Sequence, residues 1–116
     1  MVVAMVALAG CGKRKPGAVD LGAARAAVEA YFTAAKAEDC VTLMRMMPTL
    51  KTPADCSSYL HEWKEVGNQL DAVLEVTRDG RDPGAAIVLI RLHATKGDRE
   101  VRVRAQRGPS GFTIVF

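Results

Sequence analysis

Aromatic side chains are scarce in this chain: one Trp, two Tyr and three Phe make up only 5% of 116 residues, so the core must be built mainly from aliphatic groups. Histidine is scarcer still, with His61 and His93 far apart, and no Cys/His spacing resembles a zinc site. The serines lack a Gly-x-Ser-x-Gly setting, which leaves no motif for a serine nucleophile, and no metal or other cofactor is expected. Met44, Met46 and Met47 would suit a soft ion such as copper, but methionine at helical spacing is more often core filler. Long apolar runs are missing too. The uncharged stretch from Met1 to Gly12 falls far short of the ~20 residues that a spanning helix needs. There is no internal repeat and no low-complexity tract. What is present, 49% hydrophobic and 25% charged residues, is the composition of one small globular domain.

The chain also lacks a basic face of the kind nucleic acid requires. Its net charge of +3 comes from one short segment, Lys13-Arg14-Lys15, because acids and bases balance from Pro16 onward. A sequence pI near 8.9 therefore implies no nucleic-acid partner. The segment Lys13-Arg14-Lys15-Pro16-Gly17 resists regular structure and reads as a tether. Near a bilayer each of its cations would add about 1 kcal/mol of attraction to anionic headgroups; away from one they only keep a linker soluble.

Residues 1–10 are all apolar or Gly and end in small residues immediately before Cys11. Such a stretch is a processing signal rather than part of a fold. Leu8-Ala9-Gly10-Cys11 resembles the lipobox of bacterial lipoproteins. That resemblance implies cleavage before Cys11, a thioether-linked diacylglycerol on its sulfur and an N-acyl chain. Several chains anchor stably, since each buried methylene contributes ~0.8 kcal/mol and a single chain is marginal. No basic residue precedes the apolar stretch, as a signal peptide requires, so the start codon is expected upstream of Met1. The alternative is a buried apolar N-terminal strand with a core cysteine. Gly12 stands where enterobacterial lipoproteins retained in the inner membrane carry Asp, and this similarity leans towards the outer membrane, with the body facing the periplasm.

With Cys11 acylated, Cys40 and Cys56 are left as an even pair in an oxidising compartment, where they would either bridge two helix starts or remain two buried thiols.

From Asp20 the period is helical. Leu21, Ala24, Val28, Tyr31, Phe32 and Ala35 form one stripe, with Asp20 as N-cap and a turn at Glu38-Asp39. A short second helix carries Leu43, Met46, Met47 and Leu50 on one side and is disrupted by Pro48. The third opens on Thr52-Pro53-Ala54-Asp55, carries Cys56, Tyr59, Leu60, Trp63 and Val66 at helical offsets on one stripe, and stops at Gly67-Asn68. The period then drops to two over Leu70–Arg78, Ala85–Ala94, Arg99–Arg107 and Phe112–Phe116, separated by turns at Asp79–Gly84, Lys96–Asp98 and Gly108–Gly111. In the third strand Val101, Val103 and Ala105 face one way and Glu100, Arg102, Arg104 and Gln106 the other; Ile87–Ile90 is apolar on both faces, as in a central strand. The expected organisation is a signal peptide at 1–10, a lipidated cysteine and tether at 11–19, and an α+β body at 20–116. In that body three helices pack on a curved four-stranded antiparallel sheet.

Helices followed by a meander, with the run from Ala27 to Asp39 containing the pair Tyr31-Phe32 and an acid before the second helix, resembles the cone-shaped superfamily of nuclear transport factor two and ketosteroid isomerase. The resemblance implies a pocket at the open end of the cone, in a superfamily of enzymes, ligand binders and interaction modules, so fold alone settles no function. Tyr31, Tyr59 and Trp63 are the candidate pocket residues. An isomerase-like site would need a carboxylate base beside a phenol donor, drawn from Tyr31, Tyr59, Asp39 and His61. Asp39 sits at a helix end, where a cap is the commoner role, and no catalytic residue is assigned. Arg91, Arg102 and Arg104 form a candidate face for an acidic partner or lipid surface, unless Glu75 and Glu100 balance them. The expected function is a membrane-anchored envelope lipoprotein binding a protein or small ligand, without catalysis; the alternative is a small-molecule carrier or isomerase-like enzyme that uses a pocket between helices and sheet.

Overall fold

The computed structural model describes residues 18–116. The leader, Cys11 and the basic segment at 13–15 lie outside the described residues. Three helices precede four strands: α1 (Leu21–Lys36), α2 (Cys40–Met46), α3 (Pro53–Val66), β1 (Gln69–Asp79), β2 (Asp82–Ala94), β3 (Gly97–Gly108) and β4 (Gly111–Val115). The strands form one open antiparallel sheet in the order β1-β2-β3-β4, so the fold is α+β.

Each helix starts where the sequence supplies a cap. The Asp20 carboxylate accepts the amides of Gly22 and Ala23. Asp39 accepts Thr42 N–H at 3.1 Å and opens α2. Thr52 and Asp55 close a reciprocal capping box with Pro53 at the first position of α3. That helix ends at Gly67, which is left-handed at φ +72°. A Cβ there would stand 2.5 Å from Thr95 Oγ1, so only glycine fits both the dihedral and the approach of the β2–β3 turn. The Thr95 amide donates to Val66 O at 3.1 Å and pins the turn to the helix end.

The helix α2 is shorter than its apolar pattern suggests: Met47 caps it and Leu50 lies beyond, though both still pack on the core. Pro48 gives the reason, since it disfavours helical geometry at the residue before it. Ala18 and Val19, expected in the tether, belong to the body. Val19 is buried and its amide donates to Pro83 O at 2.7 Å, while Arg107 donates to Ala18 O.

All three strand connections are tighter than the turn residues imply, with only Gly80-Arg81, Thr95-Lys96 and Pro109-Ser110 outside the strands. The segment Asp82-Pro83-Gly84, expected in a turn, starts β2. Pro83 is tolerated there because it sits at a register shift and ahead of the first β3 partner, where no ladder amide is needed. Two further shifts, between Leu70 and Ala72 and between Val73 and Glu75, reset the pleat of β1. They bring Leu70, Val73 and Val76 to one face despite a spacing of three, and leave Leu74 exposed.

The core lies between this face and the helices. Ala24, Val28, Tyr31 and Ala35 of α1 and Leu43 of α2 meet Val88, Ile90 and Leu92 of β2, Val103 and Ala105 of β3, and Ile114 of β4. Along β3 the alternation is as expected: Val103 and Ala105 are buried, while Glu100 and Arg102 are exposed. The cysteines of the body form a disulfide, Cys40–Cys56, joining the first turns of α2 and α3. Among the described residues no helix is long and apolar enough to cross a membrane.

Candidate functional site

One face of α1 and one face of α3 converge over the end of the sheet and leave a cavity of about 510 Å³. Tyr31, Tyr59 and Trp63, three positions spread over two helices, all line it. They meet because Tyr31 lies on the buried stripe of α1, while Tyr59 and Trp63 are four residues apart on one face of α3. Leu92, Val101 and Ile114 supply the sheet wall, and Phe116 closes one side. The Phe116 ring tilts against Tyr31 at 5.1 Å and meets Phe32 edge-on at 6.3 Å, which stiffens that wall.

The polar equipment is small and specific. The Tyr31 and Tyr59 hydroxyls hydrogen-bond to each other. Burial pushes the Tyr31 phenol far above its ordinary range; its bond to Tyr59 pushes the same way, and a bond from Trp63 opposes. Burial also raises Tyr59, offset by its bond to Tyr31. Both phenols are therefore neutral hydrogen-bond donors at physiological pH. Asn68, just after the left-handed Gly67, reaches the same cavity, and its Oδ1 is buried without a hydrogen-bond partner among the described residues. Arg99 stands on the cavity wall from β3.

Among the described residues, no Asp, Glu or His side chain lines this cavity. The acid and imidazole considered for proton transfer lie elsewhere. Asp39 caps α2, where bonds from the Thr42 hydroxyl at 2.6 Å and the Thr42 amide hold its carboxyl below the usual range. His61 is exposed and faces Glu65 at 3.1 Å. Among the described residues no group of three or more His, Cys, Asp or Glu side chains is placed to hold a metal ion.

The three candidate arginines share the outer face of the sheet, where Arg104 pairs in register with Ile87, Arg102 with Leu89 and Arg91 with Glu100. Two of the three are paired, so no continuous free stripe forms; Arg102 is exposed and without an ion pair among the described residues. Arg104 reaches Asp79 at 3.3 Å and Asp82 at 3.0 Å, and Arg91 lies 3.6 Å from Asp71. Glu75, expected to meet arginine across the sheet, instead lies opposite Leu89 and pairs with no arginine among the described residues, because the β1 bulges set a different register. The carboxylates that do the pairing come from the Asp79–Asp82 hairpin and from Asp71. Sequence reasoning passed over Asp79, which is almost wholly buried, takes the Arg81 amide at 2.9 Å and has its carboxyl held low chiefly by that bond. Arg99 was missed as well, although its parity with Val101, Val103 and Ala105 marks it as an inner-face position.

No family model, no curated protein and no solved structure matches this chain. The resemblance to the cone superfamily thus rests on the first-helix pattern and the order of elements alone.

Proposed function

We propose that this chain is a membrane-anchored lipoprotein of the bacterial cell envelope whose α+β body holds a small, largely apolar ligand between α1, α3 and the sheet. The observation that carries the binding reading is the cavity itself: about 510 Å³, apolar walls, and a few convergent polar groups from Tyr31, Tyr59, Asn68 and Arg99. Its lack of a carboxylate or imidazole side chain supports binding over proton abstraction, because deprotonating carbon needs a base at the reacting atom. The pairing of Arg91 and Arg104 with aspartates favours a small ligand over an acidic protein on the outer face. The Cys40–Cys56 bridge supports the compartment, since structural disulfides persist where thiols are not kept reduced. Acyl chains on Cys11 would then hold the body at the membrane through the basic tether.

Trp63 is the only tryptophan, so the site carries its own reporter. Titration of the full chain with N-phenylnaphthylamine, a neutral apolar fluorophore, should quench Trp63 emission saturably by energy transfer. Val101→Trp, which fills the cavity from the sheet side, should abolish binding of the probe while far-UV circular dichroism stays native. Non-saturable quenching, or equal probe binding by the filled variant, would overturn the reading.

A further inference from the structure

The cavity has one charged side chain from the sheet, Arg99, and none of the ion pairs among the described residues involves it. Arg99 pairs in register with Leu92, which is buried on the inner face, so Arg99 continues the inward row of Val101, Val103 and Ala105. The acids on either side of it are turned outward. Asp98 bonds to His93 Nδ1 at 2.6 Å, and Glu100 lies across from Arg91. Four other arginines of the sheet are occupied: Arg78 donates to Val19 O, Arg91 and Arg104 meet aspartates, and Arg107 donates to Ala18 O; Arg102 has no partner among the described residues, but it lies on the outer face, away from the cavity. Arg99 has no ion pair or hydrogen bond among the described residues, and residues 1–17 contain no Asp or Glu that would supply one. A guanidinium presents only donors. The phenol pair adds another. The two hydroxyls share one hydrogen bond between them, so one of their two O–H protons is left outside it.

A largely apolar chamber whose one charged side chain is a guanidinium, with no carboxylate side chain among the described residues, complements an anion, while the unpaired Asn68 Oδ1 offers one acceptor beside it. We infer that the ligand is an amphiphilic monoanion, an apolar body bearing one carboxylate, whose head is held by Arg99 while its body lies against Tyr31, Trp63, Leu92 and Ile114. The inference rests on the proposed ligand-binding role of this cavity and adds the class of ligand and the residue that selects it. Neutral amphiphiles of the same length enter the same chamber but forgo the charge-assisted bond.

The test is displacement of bound N-phenylnaphthylamine from the full chain by decanoate and by decanol, near neutral pH and at low salt. Decanoate should displace the probe at about tenfold lower concentration than decanol, equivalent to about 1.4 kcal/mol. Arg99→Gln should erase that advantage and leave decanol unchanged. Arg102→Gln removes the same charge from the opposite face and should preserve the advantage. Added salt should narrow the gap, because Arg99 is exposed at the cavity rim. Equal displacement by the two compounds in the wild type, or an advantage that survives in Arg99→Gln, would overturn the assignment to Arg99 while leaving the cavity as a binding site. Absence of probe binding altogether would instead remove the ligand-binding reading on which it depends.

Discussion

Opening the Cys40–Cys56 bridge should destabilise the body by an amount that follows from its place in the chain. The two cysteines are 16 positions apart, and each sits in the first turn of its helix. In the loop-entropy model, cross-linking a loop of this size removes about 10 cal/mol/K from the unfolded chain, or about 3 kcal/mol at 25 °C. For a body of roughly 100 residues each kcal/mol moves the midpoint by about 4–5 °C, so reduction should lower Tm by about 12–15 °C. Thermal unfolding followed by far-UV circular dichroism, with and without a reducing agent, measures this directly. The double variant Cys40→Ala/Cys56→Ala should melt near the reduced protein and no longer respond to reductant. It should lie slightly lower, because Cys56 is fully buried and truncation leaves a small void. A shift below about 3 °C on reduction would refute the argument that this crosslink restrains the unfolded chain. So would a double variant as stable as the oxidised protein.

Three further outcomes are expected. Gly67→Ala should cost about 1–3 kcal/mol in denaturant unfolding, because φ +72° is strained for alanine and its Cβ meets Thr95 Oγ1; adding Thr95→Ala should recover the contact part but not the dihedral part. Tyr31→Phe leaves the Tyr59 hydroxyl without its partner and should cost about 1 kcal/mol, and a double-mutant cycle with Tyr59→Phe should show positive coupling between the two sites. Asp79→Asn should be less stable than wild type at neutral pH, with the gap closing as pH falls below about 4. The sign follows from a folded-state pKa held beneath the unfolded one: the carboxylate stabilises above the unfolded value and loses that effect as pH drops through the folded value. A gap that is constant between acid and neutral pH would contradict this role for Asp79.

Local chemistry made much of the architecture legible before any coordinates. The caps at Asp20 and Thr52 and the stop at Gly67 depend on neighbours within a few residues, and the helices begin and end there. The regular alternation of Val101, Val103 and Ala105 gave β3 its faces for the same reason. Features set by register were not legible. Bulges in β1 put Leu70, Val73 and Val76 on one face, a spacing that satisfies neither a helical nor a strand period cleanly. They also move Glu75 opposite Leu89, so the cross-sheet ion pairs fall to Asp71, Asp79 and Asp82 instead. Tyr31, Tyr59 and Trp63 were named as cavity candidates through the resemblance to the cone superfamily, since their apolar stripes alone would equally suit core residues. That the two hydroxyls would touch depends on how α1 and α3 cross, which no local pattern encodes. Arg99 was placed in the third strand but overlooked, because an arginine at a strand end is ordinarily a solvated charge. Its parity with Val101, Val103 and Ala105 already placed it on the inner face, and its pairing with Leu92 bears that out.

Placement in the envelope is the claim on which the compartment, the oxidised cysteine pair and access to amphiphilic ligands together depend. Intact-mass measurement of the protein extracted from the membranes of its native cells, before and after reduction, tests it most directly. The account predicts a chain that begins at Cys11, carries the added mass of diacylglycerol and an N-acyl group, and gains two hydrogens on reduction. A chain that still contains residues 1–10, with an unmodified Cys11 and with Cys40 and Cys56 as free thiols, would contradict it.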